Sequence, residues 1–207
     1  MTRIIPASAP GAIAEAAEAL RRGDVIAIPT ETVYGLAVLP QHAPLERLLA
    51  AKHRSADKGI QLLIDSVEQA QAMTVLTDAA NRLAARFWPG AMTIVLRRRE
   101  DVPVPDQLGG GRPTLGLRLP DHDVPRGLAR TLGPIAASSA NISGEPDATT
   151  AGRVAESFGD EVVLILDDGP ARGGTPSTVV DCSDPDLAPV VLREGAISAR
   201  DIGAALE

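Results

Sequence analysis

Apolar residues recur along the chain in two alternating rhythms. Spacing by three and four positions predicts helices at Pro10–Arg22, closed by Gly23, at Pro44–Lys52, with Leu45, Leu48 and Leu49 on one face, and at Asp78–Phe87, stopped by Trp88-Pro89-Gly90. Further helices fit Pro125–Leu132, Thr150–Phe158 and Ser198–Leu206, the last opened by a Ser198/Asp201 capping arrangement. Short apolar runs between them predict strands at Val25–Ile28, Ile60–Ile64, Met92–Leu96, Leu115–Leu119, Ile135–Ala137, Val162–Leu166, Thr178–Asp181 and Val190–Leu192. Asp101–Pro113, rich in Pro and Gly, reads as loop. Strands separated by helices point to α/β layers, and the short gap between the last two strands implies antiparallel pairing. The expectation is one α/β domain over residues 1–207: a twisted, mixed parallel and antiparallel sheet flanked by helices.

The 207 residues, 44% of them hydrophobic, suffice to bury a core without cross-links. The single Cys182 excludes a disulfide framework and a Cys-rich zinc site, and fits a reducing compartment. Glu15 and Glu18 interrupt what would be the apolar stretch of a signal peptide, and no run approaches the roughly eighteen apolar residues of a membrane span. The expected location is therefore cytoplasmic, with no membrane partner. A net charge of −7 argues against a general nucleic-acid coat but allows a local cationic pocket. Nearly all basic residues are Arg; the only two lysines, Lys52 and Lys58, share one short stretch.

Neither GxxxxGK[ST], GxGxxG nor GxSxG occurs, which removes the usual P-loop, the dinucleotide fingerprint and the hydrolase nucleophile elbow. His42, His53 and His122 lack metal-ligand spacing, and Cys182 has no neighbouring base to activate it. Covalent catalysis and a protein-bound metal are not expected. Gly109-Gly110-Gly111 reads either as a phosphate cradle or as a flexible turn.

The chemistry that is present sits at strand ends, where α/β proteins place ligand sites. Pro29 to Leu36 (PTETVYGL) offers hydroxyls, a carboxylate and a phenol after a buried strand. Lys52-His53-Arg54 followed by Lys58 leaves a helix end with three cations, suited to an anion of several charges; the helix dipole accounts for Lys52 well and for Lys58 poorly. Ser138, Ser139, Asn141 and Ser143 follow the strand at Ile135 and either admit a phosphate or cap a turn. Thr114 and Arg118, an even number of positions apart, face the same side of one strand. An arginine inside an apolar strand needs an anionic partner, for which a ligand carboxylate or an internal Asp would serve.

These stretches, with Trp88-Pro89-Gly90 and Thr93, LRLP, STVVD and LREG, run in one order from about Asp24 to Gly195. Together they resemble the YrdC-type threonylcarbamoyl-AMP synthases. The resemblance implies a twisted α/β sheet around a cationic cavity. It also implies an enzyme joining L-threonine, bicarbonate and ATP into threonylcarbamoyl-AMP and pyrophosphate, with Mg2+ carried mainly by the phosphates and no metal ligands on the chain. A separate transferase complex would move the group to tRNA, and only weak tRNA contact by this chain is expected. By resemblance, Lys52, Arg54, Ser139 and Asn141 form the catalytic tetrad. Arg54, Lys58, Thr114, Asn141, Thr149 and Arg193 would contact ATP. Thr32, Arg118, Ser139 and Ser177 would hold threonine, with Arg118 on its carboxylate.

Many relatives read KxRPxxxPL where this chain has Ser55 and Lys58-Gly59-Ile60, and some carry a His where it has Leu63. That His contact to threonine is not available here. The chain closes near the end of the catalytic domain, so the further domain of longer relatives is not expected. Two rival readings share the fold: an RNA-binding paralogue without synthase activity, and a carbamoyl-adenylate domain like those of hydrogenase-maturation proteins, which sit in larger chains with zinc motifs.

Overall fold

In the computed structural model, which describes every residue from Met1 to Glu207, eleven strands join one sheet. They are β1 (Arg3–Pro6), β2 (Ile26–Ile28), β3 (Gly35–Val38), β4 (Gln61–Leu63), β5 (Thr74–Val75), β6 (Met92–Arg98), β7 (Thr114–Arg118), β8 (Ile135–Ser139), β9 (Leu164–Asp167), β10 (Thr178–Asp181) and β11 (Val190–Arg193). The helices are α1 (Ala12–Arg21), α2 (His42–Ala51), α3 (Val67–Met73), α4 (Asp78–Phe87), α5 (Asp123–Leu132), α6 (Ala151–Phe158) and α7 (Ala199–Leu206). Four of them start at a hydroxyl: Ser66, Thr77, Thr150 and Ser198 each accept the N–H three residues on, removing one orphan donor.

The sheet order is β1-β9-β2-β3-β8-β4-β7-β6-β10-β11, with β5 beside β6. Pairing is parallel for β1/β9, β9/β2, β4/β7 and β6/β10 and antiparallel elsewhere, including the β10/β11 hairpin. Successive side chains alternate between two apolar sets. Ala27, Leu36, Leu62, Ile94, Leu117, Ile165 and Val180 point to the larger core, shared with α2, α4, α6 and α7. Ile26, Ile28, Ala37, Ile135, Leu164 and Leu166 point to a smaller core under α1 and α5. That second cover stops at β8 and β4. Beyond them the register carries the same face onward: Leu63 lies opposite Arg118, Gly116 opposite Val95, and Thr93 opposite Val179.

Four elements differ from the sequence reading. β1 is mostly exposed, so no apolar pattern marks it; pairing with β9 creates it. The sequence shows no separate strand after PTETVYGL, yet Gly35–Val38 is a fully buried strand, β3. Helix α3 and the two-residue β5 carry only Ala70 and Thr74 as buried side chains, too few to show a period. In addition, β8 runs through Ser138 and Ser139, which pair with Leu36 and Gly35, so both serines belong to the sheet and not to the turn after it.

Candidate functional site

The uncovered half of the sheet face is the floor of a cavity of about 450 Å³. Thr93, Val95, Thr114, Gly116 and Arg118 form that floor. Its walls are the Thr30–Tyr34 turn, the segment after α2, the Leu108–Arg112 turn, and the chain from Pro176 to Arg193.

The cationic wall begins where α2 ends. The N–H of Arg54 reaches Leu49 O at 2.9 Å and that of His53 reaches Ala50 O at 3.0 Å, the paired bonds of a Schellman motif. The motif needs one residue at positive φ, and His53, at 48°, is the only non-glycine residue in the chain that supplies it. Lys52 and Arg54 leave this reversal for different places. Lys52 is buried, and its Nζ donates to the carbonyl oxygens of Ser139 and Asn141 and to Asn141 Oδ1 at 3.1 Å. Burial, aided by the charge of Arg54, lowers its pKa to about 8. Arg54 reaches the cavity, donating to Gly59 O at 3.1 Å while its Nε has no acceptor. Burial lowers its pKa too, but a guanidinium stays charged. Arg193 enters from β11, donating from Nη2 and Nε to Ser177 O at 2.8 and 3.2 Å. Lys58 and Arg112 also line the cavity.

The Gly109–Gly111 stretch is a tight turn. Gly110 has φ 62°, and a Cβ there would strike the carbonyl oxygen of Asp57. The amides of Gly110 and Gly111 are already engaged by Gln107 O and Asp106 O, at 3.2 and 3.0 Å, so they cradle nothing. The turn brings Arg112 to the rim instead.

The opposite end of the cavity is built around Arg118, which is 3% exposed. Its Nε donates to Gly90 O at 3.2 Å, a carbonyl set by the Trp88-Pro89-Gly90 turn with its cis Trp88–Pro89 bond. Its Nη2 donates to Thr32 Oγ1 at 3.0 Å and lies 2.8 Å from Glu31 Oε1. The internal partner left open by the sequence is thus present, and it is a Glu. The pairing is one of charge only: the contact falls outside hydrogen-bond geometry, and both buried Glu31 oxygens lack a donor. Nearby, Thr93 Oγ1 donates to Gln61 Oε1 at 2.6 Å and lies 3.0 Å from Ser177 Oγ.

A family model described as telomere recombination, the Sua5/YciO/YrdC domain, matches residues 18–195. The chain belongs to the Sua5/YciO/YrdC family. Among its relatives, the threonylcarbamoyl-AMP synthase of Bacillus subtilis is 39% identical over 197 residues, covering 94% of this chain and 56% of its own length. That of Chromohalobacter salexigens is 39% identical over 180 residues, covering 82% and 91%. Pyrococcus abyssi Sua5, solved in complex with L-threonine, matches with TM-score 0.91 and 38% identity over 99% of this chain and 61% of that one. The chain thus spans just over half the length of the Bacillus relative.

In this family member, all the residues singled out by resemblance line the cavity except three: Lys52, Asn141 and Thr149. Lys52 is buried behind the Ser139–Asn141 segment, whose carbonyls it bonds. Asn141 is committed to its own turn, accepting from Ser139 Oγ at 2.6 Å and donating to Glu145 O at 2.7 Å. The Thr149 carbonyl accepts the Ala171 N–H at 2.8 Å. Sequence reasoning missed Gln61, Arg112 and the partnership of Glu31. Even spacing from Leu63 could have flagged Gln61; no local pattern marks the other two. Tyr34 is structural: its Oη lies 2.7 Å from Gly169 O and accepts the Asp168 N–H, and burial raises its pKa to about 12. No group of three or more His, Cys, Asp or Glu side chains converges as a metal site, and no helix is long and apolar enough to cross a membrane.

Proposed function

We propose that the chain is an L-threonylcarbamoyladenylate synthase, joining L-threonine, bicarbonate and ATP and releasing pyrophosphate. The observation that carries this reading is a cavity with two unlike ends on one sheet face. One end is a recess with Arg118 and Thr32, fitted to a small amino acid; the other is a rim with Arg54, Lys58 and Arg112, fitted to a triphosphate; Arg193, bonded to Ser177, stands with that serine where the two meet. The names of the relatives support it. These cations gather inside a cavity and not on an open face, which favours a synthase over an RNA-binding relative.

The chemistry needs positioning and charge neutralisation more than a nucleophile. Threonine, as its ammonium form, and bicarbonate give the carbamate, one water and one proton. A carbamate oxygen then attacks the α-phosphorus; that O–P bond forms as the bond to the bridging oxygen of pyrophosphate breaks. Arg54, Lys58 and Arg193 would neutralise the phosphates, and the Thr114 hydroxyl would bond the nucleotide. Lys52 acts as a positioning residue, since its ammonium fixes the Ser139–Asn141 backbone and with it the Ser139 hydroxyl. Asn141 and Thr149 support the same wall, and a nucleotide reaching past the rim would meet them. Mg2+ would ride on the ATP phosphates as a counter-ion. The adenylate would pass to a cytoplasmic complex that modifies tRNA.

The test is pyrophosphate release from ATP and bicarbonate, with and without L-threonine, alongside mass detection of the adenylate. Threonine-dependent release with the product mass is expected. Release independent of threonine, or none from folded protein that binds ATP, overturns the reading.

A further inference from the structure

We propose that Glu31 makes the amino-acid recess a reader of zwitterions: paired with Arg118, it favours ligands that bring an ammonium along with a carboxylate and turns away carboxylates that lack one. The proposal rests on the reading of this cavity as an amino-acid site.

Arg118 has donors to spare. Nε is taken by Gly90 O and one Nη2 N–H by Thr32 Oγ1, which leaves the two Nη1 N–H groups and the second of Nη2 for a ligand carboxylate. Alone, a buried guanidinium would attract any small carboxylate. It is not alone. Glu31 Oε1 stands 2.8 Å from Nη2, and the two formal charges cancel.

The Glu31 carboxylate is itself unusual. Neither oxygen is reached by solvent or by any hydrogen-bond donor, an arrangement that costs stability in a protein interior. Its backbone is fixed from above: the Gly173 N–H bonds Glu31 O at 3.0 Å and the Gly174 N–H bonds Thr32 O at 2.8 Å. Thr32 and Arg118 line the cavity while Glu31 does not, so its negative charge lies one guanidinium behind the surface a ligand meets. From there it acts by field, which a low-dielectric interior transmits well.

The two charges sort ligands in a simple way. A bare carboxylate meets a cation already neutralised and gains little. For a zwitterion the field of Glu31 repels the carboxylate but attracts the ammonium, so the two effects offset and the bond to Arg118 is kept. The selected group is the one the reaction needs, since the α-amine becomes the carbamate nitrogen.

The experiment compares binding of L-threonine and of 3-hydroxybutyrate, the same acid without its α-amine, to wild type, Glu31→Gln and Glu31→Asp by calorimetry. Wild type should prefer threonine. Glu31→Gln should cut that preference about tenfold, with 3-hydroxybutyrate binding more tightly than it does to wild type, whereas Glu31→Asp should keep most of it. Equal weakening of both ligands by Glu31→Gln, with the preference unchanged, overturns the proposal, because a merely structural Glu31 would disorient Arg118 for both. Equal binding of the two ligands by wild type overturns it without recourse to any variant. If wild type binds no threonine at all, the amino-acid reading falls and this proposal with it.

Discussion

Two halves of one sheet face can be compared strand by strand. On one half, Ile26, Ile28, Ile135 and Leu166 lie sealed beneath α1 and α5. On the other, the same face bears Thr93, Thr114, Gly116 and Arg118 and lies open to the cavity. Leu63 and Ala137 stand on the boundary and belong to both. Backbone geometry is continuous across the change, so what differs is the cover. Where helices lie on the sheet, side chains repay burial by packing. Where no helix lies, polar groups held by each other or by main-chain carbonyls keep their donors aimed at a ligand, as Arg118 does through Gly90 and Thr32. The first half should therefore answer to mutation in stability and the second in activity.

The largest effect is expected from Arg54→Ala, which should abolish adenylate formation with the melting temperature nearly unchanged; retained turnover in the pyrophosphate assay would remove Arg54 from the phosphate wall. Leu128→Ala, under the covered half, should do the reverse. It should cost about 2–5 kcal/mol in denaturant unfolding and leave the threonine KM unaltered. Arg118→Ala should raise the threonine KM by about one to two powers of ten, the value of a lost charge-assisted contact of ~1.5–3 kcal/mol. A KM that does not move would break the assignment of the recess.

Alkaline pH should separate turnover from stability. As pH rises through about 8, Lys52 loses its proton, and the Ser139 and Asn141 carbonyls lose a charged donor. Turnover should fall between pH 8 and 9. In the unfolded chain a lysine keeps its proton up to about 10.5, so over this interval the unfolded state binds more protons and the Lys52 titration favours the fold. Melting temperatures measured beside the pH–rate profile should stay level or rise. The smallest effect is expected from His53→Gly: relief of the positive φ should stabilise by at most ~1 kcal/mol, with KM values unchanged.

The covered half was the more legible in sequence. Helices α1, α4 and α5 announce themselves because their buried faces recur at helical spacing; across the boundary, the parity of Thr114 and Arg118 puts both on one face of a strand, the face that the structure shows to be the cavity floor. The sequence reading lacks β1, which is almost all exposed, and β3, which is all buried like β2 but holds Gly35 and Ala37, weak strand formers. The site was legible as residue types but not as roles. Lys52 and Arg54 are two positions apart, yet the helix reversal sends one behind the Ser139–Asn141 segment and the other into the cavity. The partner of Arg118 comes from a turn 87 residues earlier, and Arg112 reaches the rim because a glycine turn folds against Asp57.

The β10/β11 hairpin closes the cavity late. Its floor comes from β4, β6 and β7, but the wall bearing Ser177 and Arg193 waits for β10 to dock in parallel beside β6. Gly195 then fits under Pro176 O, where a Cβ would collide with the backbone. A ribosome must therefore deliver Arg193 before the floor has its last side. Until that moment the cavity lacks the side that Ser177 and Arg193 form, and a nascent chain or proteolytic fragment stopped short of β10 has no enclosed place in which to seat a nucleotide.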